Sequence, residues 1–333
     1  AFWTWKLETQ AFREVLVLTS FGFVVHHLLP SRKRLSFFAA ISVGSLVLVL
    51  GWQLGAMVLG IGLCLIGICH LPASILLRVA LLGIAAVWLA AVQVGRISVP
   101  DLRIIMPILA SMFMFRVTVY LYDLKHGNVP VSFAQSVAYF FMVPNVCFPL
   151  FPVVDYKLFC KSHYDSDPFE IYKVGVRWIF RGMINLLIYR ACNVYFKISP
   201  MEVHNGLELF RYMVTTYLLY LQVSGTFHVI VGILHLFGFN LPETHHLYLL
   251  STSFTDFWRR INIYWKDYIM KLVFYPTFFA IRRIGQTRAT IVATLIAFFA
   301  TWLLHAYQWF WIRGMFLITP QDAMFWAILA LLV

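Results

Sequence analysis

A chain of 333 residues that is 61% hydrophobic and only 12% charged, with a mean hydropathy of +0.80, cannot cover itself with a polar skin, which excludes a water-soluble globular fold. The net charge of +12 is read as basic loops held at anionic headgroups, so membrane lipids are expected partners and nucleic acid is not. Cys64, Cys69, Cys147, Cys160 and Cys192 form no C-x-x-C pair and point to neither a disulfide framework nor a metal site.

Unpaired backbone groups are too costly in hydrocarbon for open sheets, and the apolar runs are continuous, which argues against a β-barrel. The expected fold class is therefore all-α, a polytopic integral membrane protein. No amino-terminal stretch has the short apolar core and cleavage site of a signal peptide. In chain order the apolar stretches fall at 12–29, 35–52, 54–71, 75–94, 104–122, 133–151, 178–196, 209–238 and 289–312. A last one runs from 322 to Val333 and is too short to cross alone. About nine to eleven transmembrane or re-entrant helices are expected, with Pro30, Pro72, Pro100, Pro130 and Pro152 at or near their ends.

With one crossing per stretch up to residue 152, Arg32, Lys33, Arg34, Arg78 and Lys125 gather on one side. Arg96, Arg103, Lys157, Lys161, Lys173 and Arg177 gather on the other. This near-tie under the positive-inside rule leaves the orientation open and hints that some segments re-enter. Two polar stretches interrupt the pattern. The first, 155–181, with Asp165, Asp167 and Pro168, reads as a loop leading into an amphipathic helix. The second is 240–288. There is no tandem repeat, low-complexity tract or stretch long enough for a separate soluble domain.

The second polar stretch contains "FWRRINIYWKDY" (257–268). On one continuous helix Arg259, Asn262, Lys266 and Met270 would share a face, flanked by Arg260 and Asp267, opposite Phe257, Ile261, Tyr264, Trp265, Tyr268 and Leu272. That is an amphipathic helix suited to the headgroup level, and its simplest reading is an interfacial helix with snorkelling arginines and a capping Asn262. The apolar segment that follows, "IVATLIAFFATWLLHAYQWFW", holds a single histidine, His305. An intramembrane histidine either packs or marks a functional site, and with the polar helix beside it a reaction chamber is expected.

The blocks "LQVSGTFHVIVGILHLFGFNLPE" (221–243), "STSFTDFWRRINIYWKDYIMKLVFYP" (251–276) and "FFATWLLHAYQWFWIRG" (298–314) resemble, in order and spacing, the membrane-bound O-acyltransferase family. The nearest branch is that of the bacterial alginate O-acetyltransferases and teichoic acid D-alanyltransferases. "IMPILASMFMFRVTVYLYDLKHG" (105–127) and "FFMVPNVCFPLFP" (140–152) are similar to that branch's upstream pattern. The resemblance implies amino-terminal transmembrane helices over 1–103 and a catalytic core over 104–333, in a single membrane domain. It places His305 at the family's catalytic histidine and Asn262 at the second polar catalytic position. Ser224 and Gly225 match the family's Ser-Gly pair, where helix packing and acyl contact both remain open, and Asp256 and Trp258 match it too, Asp256 as a helix cap. The chain departs from the pattern at Ile261, where tryptophan is usual, at His228 and His235, where aspartate and arginine are usual, and at Leu304 and Ala306 beside the histidine.

The implied activity is transfer of an acyl group from a thioester, coenzyme A or a carrier protein, to a hydroxyl of a cell-envelope polysaccharide or related acceptor. The thioester is a co-substrate, and no bound cofactor or metal is expected. His305 would act as general base, and Asn262 would hydrogen bond the thioester carbonyl or orient the acceptor, while Arg259, Arg260 and Lys266 would meet headgroups or donor phosphates. Ser224, Trp258 and His228 complete the expected substrate-binding residues. Accessory envelope proteins are expected partners, and the bacterial inner membrane is the expected location. Three alternatives stand beside this reading: an acyltransferase acting on a lipid or small-molecule hydroxyl, a transporter, and a di-iron hydroxylase. The last is disfavoured because only His26-His27 and His245-His246 form tandems, although His228 and His235 share a helix face.

Overall fold

The structure is a computed structural model that describes residues 9–127 and 132–333. Pro130, expected near a helix end, lies outside the described residues. Among those residues the chain is helical, with one isolated bridge between His163 and Phe239, and six helices are long and apolar enough to cross a membrane. This is an all-α membrane protein.

The first span, α1 (Gln10–Leu28), starts at Thr9, whose hydroxyl accepts the Phe12 N–H. The second, α2 (Ser31–Cys69), takes in the two apolar stretches expected at 35–52 and 54–71. Gly51, at φ 78° and ψ 168°, breaks it midway. A Cβ on Gly55 would lie 3.0 Å from the Leu46 carbonyl oxygen, whereas residues nine apart on a straight helix are separated by roughly 13 Å. The two halves of α2 therefore double back on each other, which only a glycine at positive φ permits so sharply. α3 (Ile75–Gln93) follows, capped by Ser74. α4 (Leu102–Phe113) and α5 (Arg116–Lys125) then form a further span between them.

The stretch 133–151 turns back instead of crossing, a re-entrant segment of the kind at which the near-tie of charge hinted. α6 (Phe133–Phe140) has 8 residues and passes into a 3-10 turn at Val143–Cys147. The buried Arg116 guanidinium donates to the Tyr139 and Phe140 carbonyls at 3.2 and 3.1 Å, and the Tyr139 hydroxyl donates to Val154 O at 2.7 Å. An arginine pays for the helix end that Pro144 cannot extend, and the chain turns back. α7 (Tyr156–Lys161), capped by Asp155, follows on the side from which α6 entered.

The loop leading into a helix expected within 155–181 is present at 162–167, after the short α7, and the helix it enters runs on through the apolar stretch at 178–196. α8 (Pro168–Tyr195) is a single 28-residue helix, with Asp167 as its cap and Pro168 at its first position. It lies antiparallel to α10 (Tyr220–Leu236), which continues α9 (Gly206–Leu218) into one span. The crossing is built on four glycines. A Cβ on Gly182 would come within 2.6 Å of Gly225 O, and one on Gly232 within 2.7 Å of Gly175 O. Without side chains the two backbones approach closely, as small residues allow in membranes. The core between these pairs and α1, α2 and α6 is phenylalanine-rich, with Phe12, Phe38, Phe140, Phe141, Phe237 and Phe239 fully buried.

The region 257–268 is two short helices and not the continuous amphipathic helix expected. α11 (Phe254–Arg260) ends at Ile261, which is extended, and α12 (Ile263–Ile269) begins at Asn262, which is left-handed at φ 43°. Ser253 caps α11, not Asp256; the Asp256 carboxylate instead accepts the Thr252 N–H at 3.1 Å and the Arg260 Nε–H at 2.7 Å. A π turn over Met270–Phe274 leads into α13 (Tyr275–Ile281), and α14 (Gln286–Arg313) and α15 (Pro320–Leu332) close the described chain.

Candidate active site

His305 lies on α14, eight residues before its end. Its Nδ1 is 2.8 Å from Thr301 O. A carbonyl only accepts, so Nδ1 carries the proton and Nε2 keeps its lone pair. Two indoles hold the imidazole in place. The Trp265 ring meets it edge-on at 5.0 Å, and the Trp326 ring of α15 lies at 4.9 Å. The sequence reading set Trp265 on the apolar side of its helix, away from Asn262, and Trp326 carried no signal in a chain so rich in aromatic residues.

His305 faces a cavity of about 700 Å³ whose lining includes Asn262, Trp258, Ile261, Tyr217, Tyr220 and Ser251. Asn262 reaches it because of the break between α11 and α12. Its Oδ1 accepts the Trp265 N–H at 3.3 Å and so caps α12, while no protein acceptor takes its Nδ2 hydrogens among the described residues. Asn262 is thus the cap that the simplest reading assigned to it, and it lines the same cavity as His305.

A second cavity of about 1380 Å³ adjoins the first and shares Trp258, Lys266 and Val333 with it. Lys125, Arg259, Lys266 and Lys271 line it, with Asp267 as the acid among its lining residues. Lys266 pairs with Asp267 at 2.9 Å. Lys271 is committed elsewhere: its ammonium bonds Asp123 at 2.6 Å and also Asp155, across 148 and 116 positions. Burial opposes the Lys271 charge, but the hydrogen bonds from the Asp123 and Asp155 carboxylates hold its pKa above the ordinary lysine value. Arg260 lines neither cavity and is tied to Asp256.

Ser224 and His228 are not at this site. Both are buried in the face of α10 toward α8. Ser224 Oγ accepts from Asn185 Nδ2 at 3.2 Å and bonds the Tyr248 hydroxyl at 3.1 Å. The His228 ring sits 5.0 Å from Trp178 and 5.9 Å from His245. Burial, with His228 and Arg181 nearby, pushes the His245 pKa down to about 3, so that imidazole is neutral. His235 bonds Val231 O at 2.8 Å within its own helix. Among the described residues no three His, Cys, Asp or Glu side chains come together as a metal-ligand set. Tyr220 bridges the two regions, lining the His305 cavity while its ring lies 5.5 Å from both His245 and Tyr248.

The chain matches no protein-family model and no curated protein sequence.

Proposed function

We propose that the protein is a membrane-bound O-acyltransferase in which His305 and Asn262 act in the first cavity, which adjoins the basic one. The observation that carries this reading is that a base with a free Nε2 and an amide with unused N–H donors share one aromatic-walled cavity, next to a basic one. The resemblance of the blocks at 221–243, 251–276 and 298–314 to that family supports the same reading.

In the proposed reaction the acceptor hydroxyl oxygen bonds to the thioester carbonyl carbon as His305 Nε2 takes the hydroxyl proton. Asn262 Nδ2 donates to the carbonyl oxygen as negative charge develops there. Collapse breaks the carbon–sulfur bond, and the imidazolium returns the proton to the leaving thiolate. No serine or cysteine nucleophile is needed, because the donor is already an activated ester. Lys125 and Arg259, which have no acid partner among the described residues, suit an anionic portion of the donor, with Lys266 at the boundary. The acceptor is a hydroxyl of an envelope polysaccharide or a related molecule, and the membrane a bacterial inner membrane. Nine to eleven membrane segments enclosing a reaction chamber, with 104–333 as the catalytic core, belong to the same proposal.

Purified protein in detergent is given acyl thioesters from acetyl to long-chain, and free thiol is measured with and without glycan and lipid alcohols. The proposal expects acceptor-stimulated thiol release from at least one donor. Inertness toward every donor, together with solute movement in proteoliposomes, would replace it with the transporter reading.

A further inference from the structure

The helix ends sort the cations of this chain onto two faces. On one, His70 Nε2 lies 2.6 Å from the Tyr120 hydroxyl, which sets the end of α2 beside the last turns of α5. Asp123 accepts the Lys157 N–H at 3.1 Å and the Lys271 ammonium, which brings the start of α7 and the π turn to the same level. Tyr164 N–H donates to Gly238 O at 2.7 Å, and the Arg34 guanidinium lies 4.9 Å over the Tyr164 ring, which adds the end of α10 and the α1–α2 turn. Thr290, in the second turn of α14, lines the basic cavity with Lys125 and Lys271. The opposite face holds the other ends of these helices. Gln93 Nε2 donates to Trp311 O at 3.0 Å, joining the ends of α3 and α14, and Arg211 Nε donates to Phe196 O at 2.6 Å, joining α9 to the end of α8.

The charge is very uneven between these faces. The first carries Arg32, Lys33 and Arg34, then Arg78 and Lys125, four lysines and arginines between 157 and 177, and seven between 259 and 288. The second carries Arg96, Arg103, Arg190, Lys197, Arg211 and Arg313, with Arg13 in the first turn of α1. The near-tie read from sequence came from counting 133–151 as a crossing. Because α6 turns back, Lys157, Lys161, Lys173 and Arg177 join the first face.

We infer that the face bearing Arg32–Arg34, Lys125 and the 259–288 segment is the cytoplasmic face, seated on the anionic leaflet, and that the basic cavity opens there. Cations beside the ends of membrane helices are retained on the cytoplasmic side, where acidic lipids hold them. The turn Arg282–Gly285, with Arg288 in the first turn of α14, lies exposed on this face, with the Arg282 guanidinium 5.9 Å over the Phe279 ring and Arg283 and Arg288 in no ion pair among the described residues. The inference uses only helix direction and charge and does not depend on the acyl-transfer reading, so either can fail alone.

The test is thiol labelling of the full chain with its five cysteines replaced. Single cysteines are placed at exposed positions, Gln286→Cys and Ser166→Cys on the first face and Ser98→Cys and Met201→Cys on the second. A membrane-impermeant maleimide applied to intact cells should label Ser98→Cys and Met201→Cys, while Gln286→Cys and Ser166→Cys label only after permeabilisation. The reverse pattern, or equal labelling of both faces in intact cells, would overturn the assignment. Two positions on each face guard against one variant failing to insert.

Discussion

Asn262 is the residue whose sequence reading changed most. Spacing put it on the polar face of a continuous helix, but that spacing holds only while the backbone stays helical. A left-handed residue after the extended Ile261 redirects the chain and places Asn262 in the lining of the cavity that His305 faces. Asparagine is among the few residues with a side chain that enter this conformation readily. Asn262→Ala loses both the cap and the tolerated backbone and should lower stability by about 2 kcal/mol, measured by thermal melting in detergent. Asn262→Gly keeps the backbone conformation and should melt close to wild type, while turnover falls by about a hundredfold if the amide donor serves the reaction. Full turnover in the glycine variant would reduce Asn262 to a cap. His305 was legible from sequence because it is the lone histidine of a long apolar run. Its Trp265 and Trp326 neighbours were not, since one lies beyond the helix break and the other on the last helix.

At the scale of elements, the glycine crossing of α8 and α10 and the Lys271 ion group each tie distant segments of the chain together. Gly175, Gly182, Gly225 and Gly232 stand at matching seven-residue intervals, a signal present in the sequence but informative only once the two helices are known to be neighbours. Gly182→Leu should displace α8 from α10 and lower the melting temperature by an amount corresponding to about 3 kcal/mol, whereas Gly83→Leu, with open space around it, should change it little.

Lys271, Asp123 and Asp155 had no sequence signal at all, because their pairing depends on α6 turning back. Lys271→Met leaves Asp123, which is 5% exposed at its side chain, facing a second carboxylate. It should cost roughly 3 kcal/mol, and adding Asp123→Asn and Asp155→Asn should recover much of that. Because the Lys271 pKa is raised in the folded state, its stabilisation is complete at neutral pH and is lost only as pH climbs past the ordinary lysine value. A melting temperature for wild type that falls between pH 7 and 9 through Lys271, and so disappears in the triple variant, would contradict this.

For the molecule as a whole, composition alone was enough for an all-helical membrane fold, since so apolar a chain has few other ways to satisfy its backbone. Most span positions were legible to within a few residues: 12–29, 75–94, 104–122, 209–238 and 289–312 each correspond to an apolar helix. Hydropathy misled where length and direction matter more than composition. It divided α2 correctly near Gly51 but could not say that its halves fold together, nor which of the apolar stretches re-enters. Counting 133–151 as a crossing is also what balances the charge between the two faces, and its return is what makes them unequal. The cavity that Asn262 and His305 share is lined from α11, α12, α14 and α15, and the joining of two cavities at Trp258 and Lys266 is a property of the folded chain.

The most direct test of the central claim is thiol release by purified His305→Ala against wild type, using whichever donor wild type consumes and confirming equal melting temperatures. Loss of turnover by a factor of about a hundred or more is expected for removal of the general base. A His305→Ala protein as active as wild type would contradict acyl transfer at this site.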